Sequence, residues 1–171
     1  MSDNVEGVRR LRFVESDPRQ DNPRFGTMCP DLSLILLELD DQPAEVLIQA
    51  DLFLEPMFEW LETNEALIRD DPPVMTQLPG ETIGQTLARG YEFIDDDMDV
   101  DLALLVYKAL YQYNSTHNIV FGAPGMQIPR VLIGHGADGF EVCNWIDDRE
   151  KDTAWRHLID IDDFFANLPS L

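Results

Sequence analysis

The sequence predicts an α+β fold in a single domain spanning residues 1–171. Antiparallel strands and hairpins lie near both ends, around a helical middle with a buried central helix. Three observations carry this. Short apolar runs broken by turn residues stand near both ends, the pattern of hairpins. Between them apolar residues recur at helical spacing. The third is the stretch from Asp95 to Asn114. It opens on Asp95, Asp96, Asp97, Asp99 and Asp101 and continues as an apolar helix whose only polar stripe is Asp101, Lys108, Gln112 and Ser115. So narrow a polar stripe predicts burial of that helix.

The elements follow in order. Residues 1–7 are expected to fray. Val8 to Glu15 alternates and predicts a strand with Leu11 and Phe13 inward. Ser16 to Pro30 is rich in Pro, Asp, Asn and Gly and reads as a loop. Leu32 to Leu39 and Glu45 to Gln49 flank Asp40-Asp41-Gln42-Pro43, which predicts a hairpin. A helix opens at Asp51 or Leu54 and runs to about Arg69, with Pro56 in its tolerant first turn. Leu54, Met57, Phe58, Leu61 and Ile68 mark its inner face; Glu55, Glu59 and Glu62 mark another. Asp70-Asp71-Pro72-Pro73 stops it. Thr82 caps a second helix, Ile83 to Ile94, which Gly84 and Gly90 weaken. After the central helix, Asn118 to Phe121 reads as a strand. Arg130 to Gly134 and Phe140 to Ile146 read as a second hairpin. Asp147 to Asp152 is a charged loop, and Ile161 to Phe165 opens a last short helix.

Charge excludes some functions. The formal net charge is −21. Residues 1–30 hold five acids and five arginines; residues 31–171 hold 28 acids against seven basic residues and carry the whole excess. Such a surface opposes nucleic acid and anionic membranes, which need positive charge. It suits a basic protein partner, and acidity alone also serves solubility. Met-Ser-Asp-Asn-Val-Glu-Gly has no apolar export region, and no apolar run approaches about 18 residues. The expected compartment is the cytoplasm, where Cys29 and Cys143 are expected as buried thiols.

The motifs argue against most chemistry. Gly134-His135-Gly136-Ala137-Asp138-Gly139 matches GxGxxG, but the strand-like Phe140 to Ile146 follows it. A dinucleotide site needs a helix there. Glycines in a hairpin loop explain the match better. Asp97-Met98-Asp99-Val100-Asp101 supplies the start of a calcium loop, but Leu102 and Lys108 stand where Gly and Glu are required. Asp97 or Asp99 reads instead as a helix cap, with the other acids at the positive helix end. His117, His135 and His157 match no metal-ligand spacing. No metal or cofactor is expected. The tryptophans and Tyr107, Tyr111 and Tyr113 read as core aromatics or as interface anchors.

The last third carries a resemblance. Its residues are His117, the run to Phe121, Gly125, Ile128-Pro129, Val131 to Gly134, Gly139, Trp155, His157 and Ile159 to Phe165. This texture resembles the ends of small acidic bacterial immunity proteins, encoded beside polymorphic or contact-delivered toxins. The resemblance covers about 55 residues. It implies inhibition by direct binding and occlusion, and no catalytic residue. The expected steering surface is Asp95, Asp96, Asp97, Asp99, Glu55, Glu59 and Glu62, facing a basic partner. The alternatives are a small enzyme whose site gathers scattered carboxylates and a histidine, and an adaptor subunit of a larger complex.

Overall fold

The computed structural model describes residues 7–16, 33–39, 45–52, 54–95, 97–123, 128–145 and 154–168. The chain is α+β, with two antiparallel three-stranded sheets and the helices between them in sequence. The first sheet has the order β1 (Leu11–Ser16), β2 (Ser33–Leu39), β3 (Glu45–Leu52). Helices α1 (Leu54–Asp70), α2 (Ile83–Glu92) and α3 (Val100–His117) follow. The second sheet is β4 (Val131–Gly136), β5 (Gly139–Asn144), β6 (Arg156–Leu158). A short helix, α4 (Ile161–Ala166), closes the described chain.

Both predicted hairpins form, since β2 pairs with β3 and β4 with β5, each antiparallel. The linking residues 40–44 lie outside the described residues, as do 1–6, residues 17–32 with Cys29, where most of the Ser16 to Pro30 loop was expected, and residues 146–153, which include the expected charged loop Asp147 to Asp152. Leu11 is fully buried, and Phe13 meets Phe58 of α1 edge-on at 5.5 Å and Phe164 of α4 at 5.8 Å. The inward reading of β1 therefore holds. Asn118 to Phe121 departs from expectation. Asn118 makes a single bridge to Leu132, and Ile119–Gly122 then turns into a 3-10 helix capped by the Asn118 side chain, which accepts from the Val120 N–H. An Asn that bonds its own following backbone competes with a sheet ladder. Strand β6 was not anticipated. Three residues are too few to show a period.

The β4–β5 hairpin organises the interior because it is buried on both faces. Strand side chains alternate, so Val131, Ile133 and Val142 enter one cluster with Leu11, Ile48, Met57, Phe58, Leu61 and Phe164. Leu132 and its register partner Cys143 enter a second cluster with Ile83, Leu87, Leu110 and Tyr113. Burial on both sides explains why these strands read as continuous apolar runs. The first cluster joins the two sheets, and the backbone of Arg9 ties the start of β1 to the end of β6: Arg9 N–H donates to Leu158 O at 2.8 Å and Asp160 N–H to Arg9 O at 2.9 Å.

The GxGxxG segment is a hairpin, as expected, but its glycines do two different things. Gly139 takes a φ of +133°, which completes the turn. Gly134 and Gly136 lie two apart on one strand and so share a face. A Cβ on Gly134 would sit 2.8 Å from the His117 ring and 3.1 Å from the Tyr113 hydroxyl. These two glycines make room for side chains from α3 and β5.

Helix α3 corrects the sharpest expectation. Only Leu110, Tyr113 and His117 along it are buried. These i, i+3, i+7 positions form one stripe, set against α2, β4 and the far end of α1. Val106 packs partly buried beside them, and the other large apolar side chains of the helix are exposed, so the central helix is not buried. Composition around a helix measures its own apolarity. Burial also needs neighbours on every side, and no described element covers this helix's outer face. The consequence is a contrast within one helix. Replacing the fully buried Leu110 by Ala should cost about 2–5 kcal/mol. Leu105→Ala, at a side chain 66% exposed, should change stability by less than about 0.5 kcal/mol. Urea denaturation of the two variants decides this; equal losses would mean that α3 is enclosed.

Candidate functional site

The outer face of α3 begins at a well-built cap. Asp99 accepts from the backbone N–H groups of Asp101 and Leu102, each at 3.1 Å, and Asp95 accepts from the N–H of Asp97 at 3.0 Å. The expected capping role of Asp99 is therefore met. Asp95, Asp97, Asp99 and Asp101 are all exposed. Asp96 lies outside the described residues.

From this cap an apolar stripe runs along the helix. Val100, Leu104, Tyr107 and Tyr111 are spaced 4, 3 and 4 residues apart, which stacks them on one face. They are 78%, 49%, 49% and 50% exposed. Phe93, just beyond α2, is exposed as well. Isolated exposed leucines are ordinary, but a contiguous apolar row marks an interaction surface.

The aromatic members form a longer row. Trp145 lies 5.9 Å from Tyr91, Tyr91 lies 6.0 Å from Tyr107, Tyr107 stacks on Tyr111 at 6.3 Å, and Tyr111 meets Phe121 edge-on at 6.2 Å. Arg130 sits over Trp145 at 5.9 Å. The row crosses four elements of the chain and exposes its two central tyrosines. Tyr, Trp and Arg are the side chains that anchor protein interfaces, because each offers a large rigid area with a polar edge. Ring-on-ring support holds Tyr107 and Tyr111 in place, and side chains ordered in this way lose less entropy in any contact they make. Partial burial, with the neighbouring Tyr107 and Tyr111 hydroxyls, pushes the Tyr91 hydroxyl above its ordinary pKa, so it stays neutral.

The basic residues are largely engaged within the chain. Arg9 bonds Glu45 at 3.2 Å, Arg69 bonds Glu65 at 2.8 Å and Asp162 at 2.6 Å, and Arg89 bonds Glu81 at 2.9 Å. Arg12 pairs with Asp163, whose carboxyl it holds below the usual range. Arg89 does the same for Glu81. Intramolecular pairing of these arginines leaves the negative excess facing solvent.

The expected steering residues do not form one patch. Glu59 and Glu62 are exposed on α1. Glu55 lies in the first turn of the same helix. But α1 meets α3 at its C-terminal end, where the Trp60 indole N–H donates to Ser115 O at 3.3 Å. Asp101 is about 20 Å away along the α3 axis at 1.5 Å per residue. The structure gathers Asp95, Asp97, Asp99 and Asp101 beside the apolar stripe and leaves the α1 glutamates toward its other end. Sequence reading missed the stripe itself: it left Tyr107 and Tyr111 open between core and interface anchor and did not join them to Val100 and Leu104. The signal was present in the 4-3-4 spacing.

The enzyme alternative looks to a histidine and carboxylates gathered together; His157 Nε2 lies 3.5 Å from Glu45 Oε1, and the interior holds a polar cluster on the Gly134–Gly136 face of the hairpin. Glu141, Cys143 and His117 are fully buried and Tyr113 nearly so. Glu141 faces Gly134 across the hairpin, and its Oε1 accepts from the first N–H of α2, at Ile83, at 2.7 Å. His117 stacks on Tyr113 with ring centroids 3.8 Å apart, and its Nδ1 lies 2.9 Å from Tyr113 O. Burial pushes the Cys143 thiol, the Tyr113 hydroxyl and the Glu141 carboxyl up, and pushes the His117 imidazole down. All four shifts favour the neutral form. A neutral, enclosed thiol is a poor nucleophile. The cluster pins α2 and α3 onto the hairpin. Among the described residues no group of three or more His, Cys, Asp or Glu is placed to hold a metal ion. No described helix is long and apolar enough to cross a membrane.

Comparison with known proteins adds no relative: no family model, no curated protein and no solved structure matches the chain.

The burial of His117 gives a test by titration. Its folded pKa lies below the ordinary 6.5. As pH falls through 6.5, the unfolded chain takes up a proton that the folded chain refuses, and this part of the stability is lost. In an NMR titration the His117 ring should show a midpoint below 6.5. A midpoint at or above 6.5 would show that water reaches the cluster.

Proposed function

We propose that this chain is a cytoplasmic protein-binding protein that neutralises a basic partner, an immunity-type inhibitor acting by occlusion of a bacterial toxin. The observation that carries the reading is the outer face of α3. An apolar and aromatic stripe with pre-positioned tyrosines runs directly out of an exposed cluster of aspartates. The two parts divide the work of association. Carboxylates at the rim raise the encounter rate with a cationic partner and confer salt sensitivity. Desolvation of the aromatics then holds the complex, since a buried aromatic centre carries most of the binding energy in such interfaces. The resemblance of the last third to acidic immunity proteins supports the same class of partner. A toxin with an anionic substrate has a basic surface, and an acidic inhibitor competes for that surface.

A tagged full-length chain, used to capture partners from its native lysate at about 50 mM and about 500 mM salt, tests this, because the two concentrations lie on opposite sides of effective screening. One dominant basic protein near equal stoichiometry is expected, weakened but not lost at high salt. Absence of any partner at low salt overturns the reading. With the partner in hand, joint Asp95→Asn, Asp97→Asn, Asp99→Asn and Asp101→Asn substitution should slow association about tenfold and flatten its salt dependence. The dissociation rate should change little. An unaltered association rate would remove the aspartates from the surface.

A further inference from the structure

From the geometry of the α3 face we infer the form of its occupant, an inference that rests on the binding reading above. The occupant is an amphipathic helix of the partner, docked antiparallel to α3, with its lysines and arginines gathered in its C-terminal turns.

The spacing of the stripe suits a helix. Val100, Leu104, Tyr107 and Tyr111 repeat at 4, 3 and 4 residues, the period at which one helix presents a continuous seam to another. The seam runs over the twelve residues from Val100 to Tyr111, about 17 Å or three turns at 1.5 Å per residue. An extended strand places alternate side chains about 7 Å apart and would meet the seam out of step. The seam is also edged on one side by the polar Asp101, Lys108 and Gln112, all exposed, which leaves the groove open outward.

The charges set the direction. Negative charge is concentrated at the N-terminal end of the seam, in Asp95, Asp97, Asp99 and Asp101. On α3 itself the other end is Gln112, Ser115 and Thr116, which carry no charge, and the α1 glutamates on that side stand on a separate helix. A partner helix that follows the seam meets four aspartates at one end and is matched by cations concentrated there. Docked antiparallel, that end is its C-terminus, where cations also complement the partner's own helix dipole. Docked parallel, the cations would crowd its N-terminus, which the dipole opposes. The two preferences agree only in the antiparallel arrangement.

A second copy of this chain fits poorly. Each copy carries −21, and antiparallel pairing of two α3 helices would set each aspartate cluster against the uncharged Gln112 to Thr116 end. Self-repulsion opposes such a dimer.

The test uses the full-length isotope-labelled chain and three synthetic 18-residue peptides of identical composition. The first has apolar residues at 4-3-4 spacing and four lysines in its last two turns. The second moves the lysines to the first two turns. The third scatters the apolar residues. The first peptide should shift the amide resonances of Val100, Leu104, Tyr107 and Tyr111 saturably. It should bind at least roughly threefold tighter than the second, the advantage expected from charge at the favourable helix end. It should bind at least about tenfold tighter than the third, the cost of losing a packed seam. Leu104→Ala with Tyr107→Ala should weaken the first peptide about tenfold or more while leaving thermal unfolding nearly unchanged, because both side chains are half exposed. Equal binding of all three peptides, or shifts confined to other elements, overturns the proposal. So does a dimer of the free chain in sedimentation that Leu104→Asp dissociates, which would make a second copy the occupant. If the lysate partner binds while the first peptide does not, the helical occupant falls and the binding reading stands. If neither binds, both fall.

Discussion

The β4–β5 hairpin is covered on both faces, and the placement of the helices depends on it. One face seats α1 and the first sheet; the other seats α2 and α3. Gly134 and Gly136 thin the second face enough for Tyr113, His117 and Glu141 to enter. Glu141 then satisfies the first N–H of α2 from across the sheet. A helix end closed by a buried carboxylate is fixed in position, since removing that acceptor would leave a buried donor unmet. The polar cluster is therefore a clamp. It secures α3 along one narrow stripe and leaves the opposite side of that helix to solvent.

This division explains how an apolar helix can sit on the outside of a strongly acidic protein. Three buried side chains, one of them a histidine stacked on Tyr113, hold α3 down. The neighbouring rings of Tyr91, Trp145 and Phe121 brace the exposed tyrosines from both sides. The net charge of −21 keeps such a surface soluble. It also restricts what can approach. An anionic body is repelled before contact, whereas a cationic one is drawn to the aspartates at the start of the stripe. On the proposed reading, charge selects the partner and apolar area retains it.

Local signals made much of the architecture legible. Thr82 and Gln85 form the capping box at the start of α2, and Asp99 caps α3; both caps follow from side chains that bond the nearest free N–H groups. The hairpins follow from turn residues between apolar runs. What failed were judgements needing tertiary neighbours. The sequence of α3 shows how apolar it is, not how many elements reach it. Glu141 lies in an apolar strand with nothing local to mark it as buried; its only trace is the glycine opposite. Glu59 and Glu62 share acidity with Asp95 to Asp101, yet α1 crosses α3 at the other end and holds them apart. Gly90, which weakens α2 as a helix, is where that helix meets Leu110: a Cβ there would lie 2.6 Å from its methyl group.

The central claim is that the outer face of α3 is the surface this protein uses. Amide hydrogen exchange of the full chain, free and in complex with its captured partner, tests it most directly. The account predicts added protection over residues 97–112, with the β4–β5 hairpin unchanged because it is already enclosed. Protection that falls on the first sheet or on α1, with α3 exchanging as in the free chain, would contradict it.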